Sequence, residues 1–314
     1  MTEAAVPDPQ TAEHQEGEVA EPKRRGTDWW GEIKGIFWLL LVVLGFHSFV
    51  AKPFYIPSES MLPGMLVGDR LVVTKFTYGW SFVSPTIPNP AAIFRSVVLR
   101  QPGESWTVGL PEWRGRLLGR LPERGDVVIV TPPGTRNDYI KRVVGLPGDT
   151  LEVRGGVLVL NGKPVQRGPI RYVDIPDYGG AIAPDGKLTC SDTDNGAERV
   201  GAACRLPIVT ETLPNGRQYD TVEMGQSPGD DFGPIRIPAN HVFLMGDNRD
   251  RSADSRFPLA DQGLGGPVPF ENVGGRAEFV TFSLDGTTSL NPISWFTSLR
   301  GGRAGTSLHP EETR

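Results

Sequence analysis

Two serines placed shortly after an apolar segment could supply a nucleophile. Ser58 and Ser60 stand two positions apart within residues 54–64. In an extended chain their side chains project to the same side. One hydroxyl could attack a carbonyl while the other, with a backbone N–H, stabilises the oxyanion. Taken alone, two serines before a proline are more often turn residues.

A lysine among apolar strand residues could supply the matching base. Strand alternation within residues 138–149 places Tyr139, Lys141 and Val143 on one face. A lysine base must be neutral, so burial has to lower its pKa from ~10.4 toward neutrality. A fall of ~3 units costs about 4 kcal/mol, which a functional site tolerates. The alternative is an exposed lysine on an edge strand.

A dense run of charged residues, 245–257, follows another predicted strand. Within it, Ser252 could orient Lys141, and Asp254 could pair with Arg142 or with Arg256. A base other than histidine needs such support, because something must fix the position of its amine. The alternative is an ordinary solvated loop.

Histidine is scarce in the body of the chain. His14 and His309 lie in polar tails and His47 lies in an apolar run, which leaves His241 at a turn that enters a strand. We interpret His241 as structural, so neither a Ser-His-Asp triad nor a His/Cys zinc site is expected. We predict no metal and no cofactor. The net charge of -5 and the absence of a basic stripe argue against nucleic-acid binding.

The joint order of three motifs resembles bacterial type I signal peptidase, also called leader peptidase, of peptidase family S26. The motifs are residues 57–63, residues 139–149 and residues 246–256. The match covers the apolar segment and the body. The family implies a mainly β, antiparallel-sheet fold with an N-terminal transmembrane helix. It implies a membrane-bound serine endopeptidase that removes N-terminal signal peptides from secreted preproteins through an acyl-enzyme.

The resemblance also implies roles for single residues. Ser60 would be the nucleophile, Lys141 the general base and Ser58 an oxyanion-hole hydroxyl. Ser252 would hydrogen-bond Lys141, and the structural support would come from Asp254, Arg256 and Arg142. The shallow pockets that accept small residues at positions −3 and −1 would be lined by Phe54, Ile56, Pro57, Met61 and Tyr139. The partners implied are signal peptides of exported preproteins, the lipid bilayer and the secretion translocon.

An apolar run near the N-terminus predicts a membrane anchor over residues 29–51. As a helix it would be about 34 Å long, enough to span a ~30 Å hydrocarbon core. A cleavable signal peptide is the alternative, but Phe46 and Phe49 stand where its cleavage site would need small residues. Basic residues precede the run and only Lys52 closely follows it. We therefore predict a single-pass protein of the cell membrane. The positive-inside rule predicts that its N-terminus is cytoplasmic and its catalytic domain extracytoplasmic.

The remaining chain predicts a loop-rich β body, because short β-type runs alternate with Gly and Pro turn signals. We predict a disordered tail over 1–28, a catalytic β domain over 52–167 and 234–300 with an insertion at 80–121, a second irregular subdomain over 168–233, and a flexible C-terminus over 301–314.

Two further questions stay open from sequence. Cys190 and Cys204 could form a disulfide outside the cytosol or remain free thiols inside it. A self-cleaving regulator of the LexA type would use a similar Ser-Lys pair, but it needs a DNA-binding domain, and the tail here is acidic. An inactive membrane-anchored binding module would be expected to lack the serine or the lysine, and both are present.

Overall fold

The computed structural model describes residues 29–85, 87–89, 91, 95, 108, 110–176, 198–200, 203–288 and 291–312. The chain divides into two compact units, Met1–Leu41 and Val42–Arg314. The predicted tail over 1–28, Cys190 and a large part of the predicted insertion over 80–121 lie outside the described residues.

The apolar run forms one helix, α1 (Trp29–Phe49). Within the described part of the chain, no other helix is long and apolar enough to cross a membrane. Its apolar side chains are exposed, with Trp38 at 64% and Leu39 at 63%. Apolar exposure all around a helix suits lipid rather than water. The predicted anchor is confirmed as an apolar helix, although it ends two residues early because the chain turns into a strand at Ala51.

Strands dominate the rest of the described chain. In order they are β1 (Ala51–Tyr55), β2 (Asp69–Thr74), β3 (Val127–Val130), β4 (Tyr139–Gly145), β5 (Thr150–Arg154), β6 (Val157–Leu160), β7 (Lys163–Pro164), β8 (Gln166–Arg167), β9 (Arg171–Pro176), β10 (Glu198–Val200), β11 (Ala203–Thr212), β12 (Arg217–Val222), β13 (Phe232–Arg236), β14 (His241–Met245), β15 (Val268–Pro269), β16 (Val273–Ser283) and β17 (Glu311–Glu312). A short helix, α2 (Pro292–Thr297), and 3₁₀ turns at Phe76–Tyr78, Leu259–Asp261 and Phe270–Asn272 complete the set.

The largest sheet has the order β1-β2-β16-β3-β4-β14-β15. Its pairings are antiparallel, which confirms the predicted fold class. The apolar run of β3 is buried along its whole length, because both of its faces are covered. Val127 and Ile129 pack into one apolar cluster, while Val128 and Val130 pack into another. Strand β4, which carries Lys141, lies between β3 and β14 inside this double layer.

A second sheet joins β11 to β10, β12, β8 and β9, and a smaller one has the order β13-β5-β6-β7. Strands β9 to β12 of the second sheet fall within residues 168–233, which sequence had marked as irregular. Cys204, Leu206 and Ile208 lie on one face of β11, and all three are fully buried. The strand signal was hidden because Arg205 and Pro207 interrupt the apolar pattern. The division into subdomains stays a prediction.

The C-terminal segment packs onto both parts of the body, although residues 301–314 were predicted to be flexible. Strand β17 pairs with β12 of the second sheet. Leu308 is buried, and its N–H donates to the carbonyl of Glu278 on β16 at 2.9 Å. Cys204 on β11 is disulfide-bonded, which agrees with an oxidising compartment.

Candidate active site

Ser60 lies in the turn that follows β1. The turn is closed by a hydrogen bond from the N–H of Leu62 to the carbonyl of Glu59, at 3.1 Å. The N–H of Asn248 donates to the carbonyl of Ser60 at 3.1 Å, and Arg251 bridges to Glu59 at 3.1 Å. The segment after β14 therefore fixes the backbone that presents the Ser60 hydroxyl.

Lys141 reaches that hydroxyl from the neighbouring strand β4. Its Nζ donates to Oγ of Ser60 at 2.9 Å and to the carbonyl of Ile140 at 3.0 Å. The side chain is 2% exposed, so the charged amine has lost its water. This burial lowers the pKa of Lys141 to about 8, although the negative charges of Asp254 and Asp247 oppose the shift. The predicted pair is thus brought together in a dry site, with an amine that is readily neutral.

Ser58 lies at the open side of the pair. Its side chain is exposed, and its Oγ is 3.4 Å from Oγ of Ser60. An O–H at this position could turn toward the oxygen of a carbonyl that Ser60 attacks. The predicted same-side arrangement of the two serines is present.

Asp254 supports the segment that follows β14. Its carboxylate accepts two hydrogen bonds from the Arg256 guanidinium, both at 2.9 Å, one from the N–H of Arg256 at 3.1 Å and one from the N–H of Gly246 at 3.0 Å. Burial alone would raise the pKa of Asp254, but the charge and hydrogen bonds of Arg256 hold it below its usual value. Of the two partners left open by sequence, Asp254 therefore takes Arg256.

Arg142 instead pairs with Asp247, a residue that the sequence argument had not assigned. Its Nε and one terminal nitrogen contact the two carboxylate oxygens at 2.7 and 2.6 Å, and its other terminal nitrogen donates to the carbonyl of Gly125. Both side chains are buried. The pair ties β4 to the end of β14, on the strand position next to Lys141.

Ser252 departs from the expected arrangement. Its Oγ is buried and has no hydrogen-bond partner among the residues that the structure describes, so the expected bond to Lys141 is absent. It lies instead against Gly246: a Cβ added at Gly246 would collide with this Oγ and with the carbonyl of Ser60. Sequence reasoning missed Gly246, although a glycine at the end of a buried strand signals a close approach of this kind.

The residues expected to line substrate pockets fall into two groups. Ile56 and Met61 are fully buried in the apolar cluster beneath β1 and β3, so neither presents surface in this structure. Phe54, Pro57 and Tyr139 are partly exposed, and the Tyr139 ring lies 5.7 Å from Nζ of Lys141. The assignment of the five residues to substrate pockets stays a prediction. Phe54, Pro57 and Tyr139 fit it best, because they are the ones with exposed surface.

One group of acidic side chains elsewhere has the spacing of a cation site. Carboxylate oxygens of Glu223, Asp230 and Asp250 lie within 4.8 Å of one another. Protein groups already contact all three, because Arg167 pairs with Glu223, Ser227 donates to Asp230, and the N–H of Met224 donates to Asp250. Burial and the nearby Asp250 raise the pKa of Glu223 to about 7, which lessens the negative charge available to a cation.

A serine hydroxyl that contacts a buried amine of lowered pKa could support serine hydrolase chemistry without histidine. The sequence profile of the signal peptidase family, peptidase S26, matches residues 29–282. The chain therefore belongs to that family, and the predictions of the family and of an enzyme are confirmed.

The chain is also similar to individual proteins. A signal peptidase I of Rickettsia typhi is 30% identical over 80% of this chain and 80% of its own length. The corresponding protein of Rickettsia akari is 30% identical over 82% of this chain and 79% of its own. A crystal structure of a signal peptidase I from Enterococcus faecalis is 19% identical and covers 50% of this chain and 97% of its own, with a TM-score of 0.26.

Proposed function

We propose that this membrane-anchored member of the signal peptidase family removes N-terminal signal peptides from exported preproteins by a Ser60–Lys141 mechanism. The observation that carries the proposal is the 2.9 Å contact between the Ser60 hydroxyl and the buried Lys141 amine. A neutral amine at that distance can accept the hydroxyl proton without further movement.

The reaction then follows two steps. Ser60 Oγ bonds to the carbonyl carbon while its proton passes to Nζ of Lys141, and the lysine returns that proton to the leaving amine as the peptide bond breaks. Lys141 next takes a proton from water as the water oxygen bonds to the acyl carbon, and it returns that proton to Ser60 Oγ as the ester bond breaks. The O–H of Ser58, whose Oγ lies 3.4 Å from Oγ of Ser60, would donate to the oxyanion together with a backbone N–H.

A strand edge beside the pair suits an extended substrate. Strand β1 pairs with β2 on one side, and no pairing on its other side occurs among the described residues. An extended peptide could add to that edge through main-chain hydrogen bonds, while shallow pockets select small residues at −3 and −1.

The location of the site suits a substrate held in the bilayer. Ser60 follows shortly after the end of α1, and exposed aromatic side chains lie on β16 and α2, among them Phe282 and Phe296. Such rings favour a membrane interface. We propose that the N-terminus is cytoplasmic, that the body faces the lipid surface on the other side, and that preproteins arrive from the translocon.

The test uses the full chain in detergent with a preprotein that carries small residues at −3 and −1. Ser60→Ala and Lys141→Ala should each abolish cleavage, whereas Lys163→Ala, which changes an exposed lysine on β7, should cut like the parent. Mass spectrometry of a slowly released substrate should find the acyl group on Ser60. Normal cutting by either of the first two variants would refute the mechanism.

A further inference from the structure

Two side chains of the second sheet contact the arginines that hold the active-site segments in place. Glu211 on β11 and Tyr219 on β12 are buried, at 1% and 7% exposure. Neither belongs to the largest sheet. Within the described part of the chain, neither side chain is hydrogen-bonded to Ser60 or Lys141. Their partners are the arginines that hold the two segments flanking the Ser60–Lys141 pair.

The first connection runs from Glu211 to the segment after β14. Arg249 donates to both carboxylate oxygens of Glu211, at 2.9 and 2.5 Å. The Nε of the same guanidinium donates to the carbonyl of Gly246 at 3.2 Å. Gly246 is the residue that packs against the Ser60 carbonyl, so a carboxylate of the second sheet orients the group that fixes this backbone.

The second connection runs from Tyr219 to strand β4. The Tyr219 hydroxyl donates to Glu211 at 2.9 Å, and the guanidinium carbon of Arg142 lies 4.2 Å from the centre of the Tyr219 ring. Arg142 adjoins Lys141 on β4 and pairs with Asp247. One tyrosine therefore joins the Glu211–Arg249 pair to the arginine beside the base.

Backbone hydrogen bonds also join β12 to the segment after β14. The N–H of Val222, at the end of β12, donates to the carbonyl of Asp247 at 2.9 Å, and the N–H of Arg249 donates to the carbonyl of Val222 at 3.2 Å. The second sheet is thus attached to the segment after β14 by both its main chain and its side chains. Movement of that sheet would be passed to the Ser60 backbone and to β4.

We propose that Glu211 and Tyr219 are positioning residues, which hold Lys141 and Ser60 at reacting distance through Arg249 and Arg142. The proposal rests on the function proposed above, because its kinetic part needs a cleavage reaction. It predicts a loss in kcat that does not follow from a loss of folded protein. A purely structural ion pair would instead affect the folded fraction alone.

Tyr219→Phe is the mild variant, because it removes only the hydroxyl and keeps the ring beneath Arg142. We expect kcat to fall about tenfold with little change in KM, measured per active site. The matched control is Asp174→Asn, which breaks the exposed Arg205–Asp174 pair of the same sheet. That control should leave kcat unchanged. An unchanged kcat in Tyr219→Phe would overturn the role of Tyr219.

The double variant Glu211→Met with Arg249→Met separates positioning from stability. Replacing both members of a buried ion pair with apolar side chains leaves no buried charge unpaired, so the protein should fold. We expect a melting temperature close to that of the parent and a kcat at least tenfold lower. A variant that is stable and fully active would overturn the proposal for Glu211.

A measurement that needs no substrate separates a failure of this proposal from a failure of the proposed function. The groups that act on the Lys141 amine are Asp254, Asp247 and Arg256. In the double variant that environment should loosen and admit water, so the titration midpoint of Lys141, followed by acetic anhydride labelling and mass spectrometry, should move upward. An unmoved midpoint contradicts the positioning role, whereas a moved midpoint in a chain that cuts no preprotein would contradict only the proposed function.

Discussion

Two buried lysines of the body have a pKa lowered by a similar amount. Lys141 is 2% exposed and Lys75, directly after β2, is 5% exposed. Burial lowers the pKa of each to about 8. Lys75, however, donates to the carbonyl of Ser84, whereas Lys141 contacts a hydroxyl that can lose a proton.

The two sites also differ in their charged neighbours. Lys75 lines a cavity of about 330 Å³ together with Lys52 and Asp138. After burial, the nearby Lys52 lowers the pKa of Lys75 further, while Asp138 opposes this. At Lys141 both larger charge effects come from carboxylates that raise the pKa. A lowered lysine pKa therefore indicates burial. Whether the lysine can act as a base depends on the group that its amine contacts.

The largest expected effect separates the two lysines by activity. Lys141→Met removes the proton acceptor, so kcat/KM should fall by about 10³-fold or more. Lys75→Met removes an amine that contacts a carbonyl, and kcat/KM should stay within about threefold of the parent. Preprotein cleavage in detergent measures both. Equal losses in the two variants would mean that burial, rather than contact with Ser60, distinguishes a functional lysine.

The pH dependence should follow Lys141 alone. Its active form is the neutral amine, so kcat/KM should rise about tenfold per pH unit below a midpoint of about 8 and level off above it. Lys75→Met should keep that midpoint. Initial rates between mildly acidic and alkaline pH provide the measurement, with substrate held well below KM. A midpoint that disappears in Lys75→Met would assign the titration to the wrong lysine.

Stability should respond alike at both lysines, because it depends on burial. Each folded pKa lies below the unfolded value of 10.5, so the unfolded chain binds more protons between about pH 8 and 10.5. The contribution of these two lysines to the stability of the parent therefore rises with pH through that window. Below it, each buried ammonium costs about 3 kcal/mol, and a change to Met should recover up to that amount.

Melting temperatures of Lys75→Met and Lys141→Met at several pH values test this statement. The gain over the parent should be largest near pH 7 and should shrink toward the plain packing difference near pH 10.5. Lys163→Met, at an exposed position, should show no such trend. If the gain in melting temperature of Lys141→Met did not depend on pH, the buried Lys141 amine would not carry a charge in the parent.

Sequence predicted the contact between Ser60 and Lys141 from the joint order of the motifs, and it missed contacts that depend on how other distant segments pair. Lys141 was found because strand alternation and the order of the motifs were enough. Asp247 was not assigned to Arg142, because their contact depends on a register shift between β14 and β4. Glu211 gave no signal, since its partner Arg249 lies in the segment after β14, outside the second sheet. Lys75 was missed for a similar reason, because its burial depends on Ser84 folding back over it.

The smallest effect concerns two serines in the segment after β14. Ser255 Oγ accepts the N–H of Leu244 at 3.1 Å, whereas Ser252 Oγ has no partner within the described chain. Ser255→Ala should therefore lose about 1 kcal/mol of stability and keep its kcat. Ser252→Ala should lose no stability, because it removes a buried hydroxyl that makes no bond.

Activity should show the opposite order for these two serines. Catalytic hydrogen bonds are often incomplete before substrate binds, so the unpaired Ser252 hydroxyl is available to the Lys141 amine once Ser60 has given up its proton. We expect kcat of Ser252→Ala to fall about tenfold while its melting temperature holds. If kcat is unchanged, Ser252 is a packing residue against Gly246 alone, and the support of Lys141 rests on the Asp254–Arg256 and Arg142–Asp247 pairs.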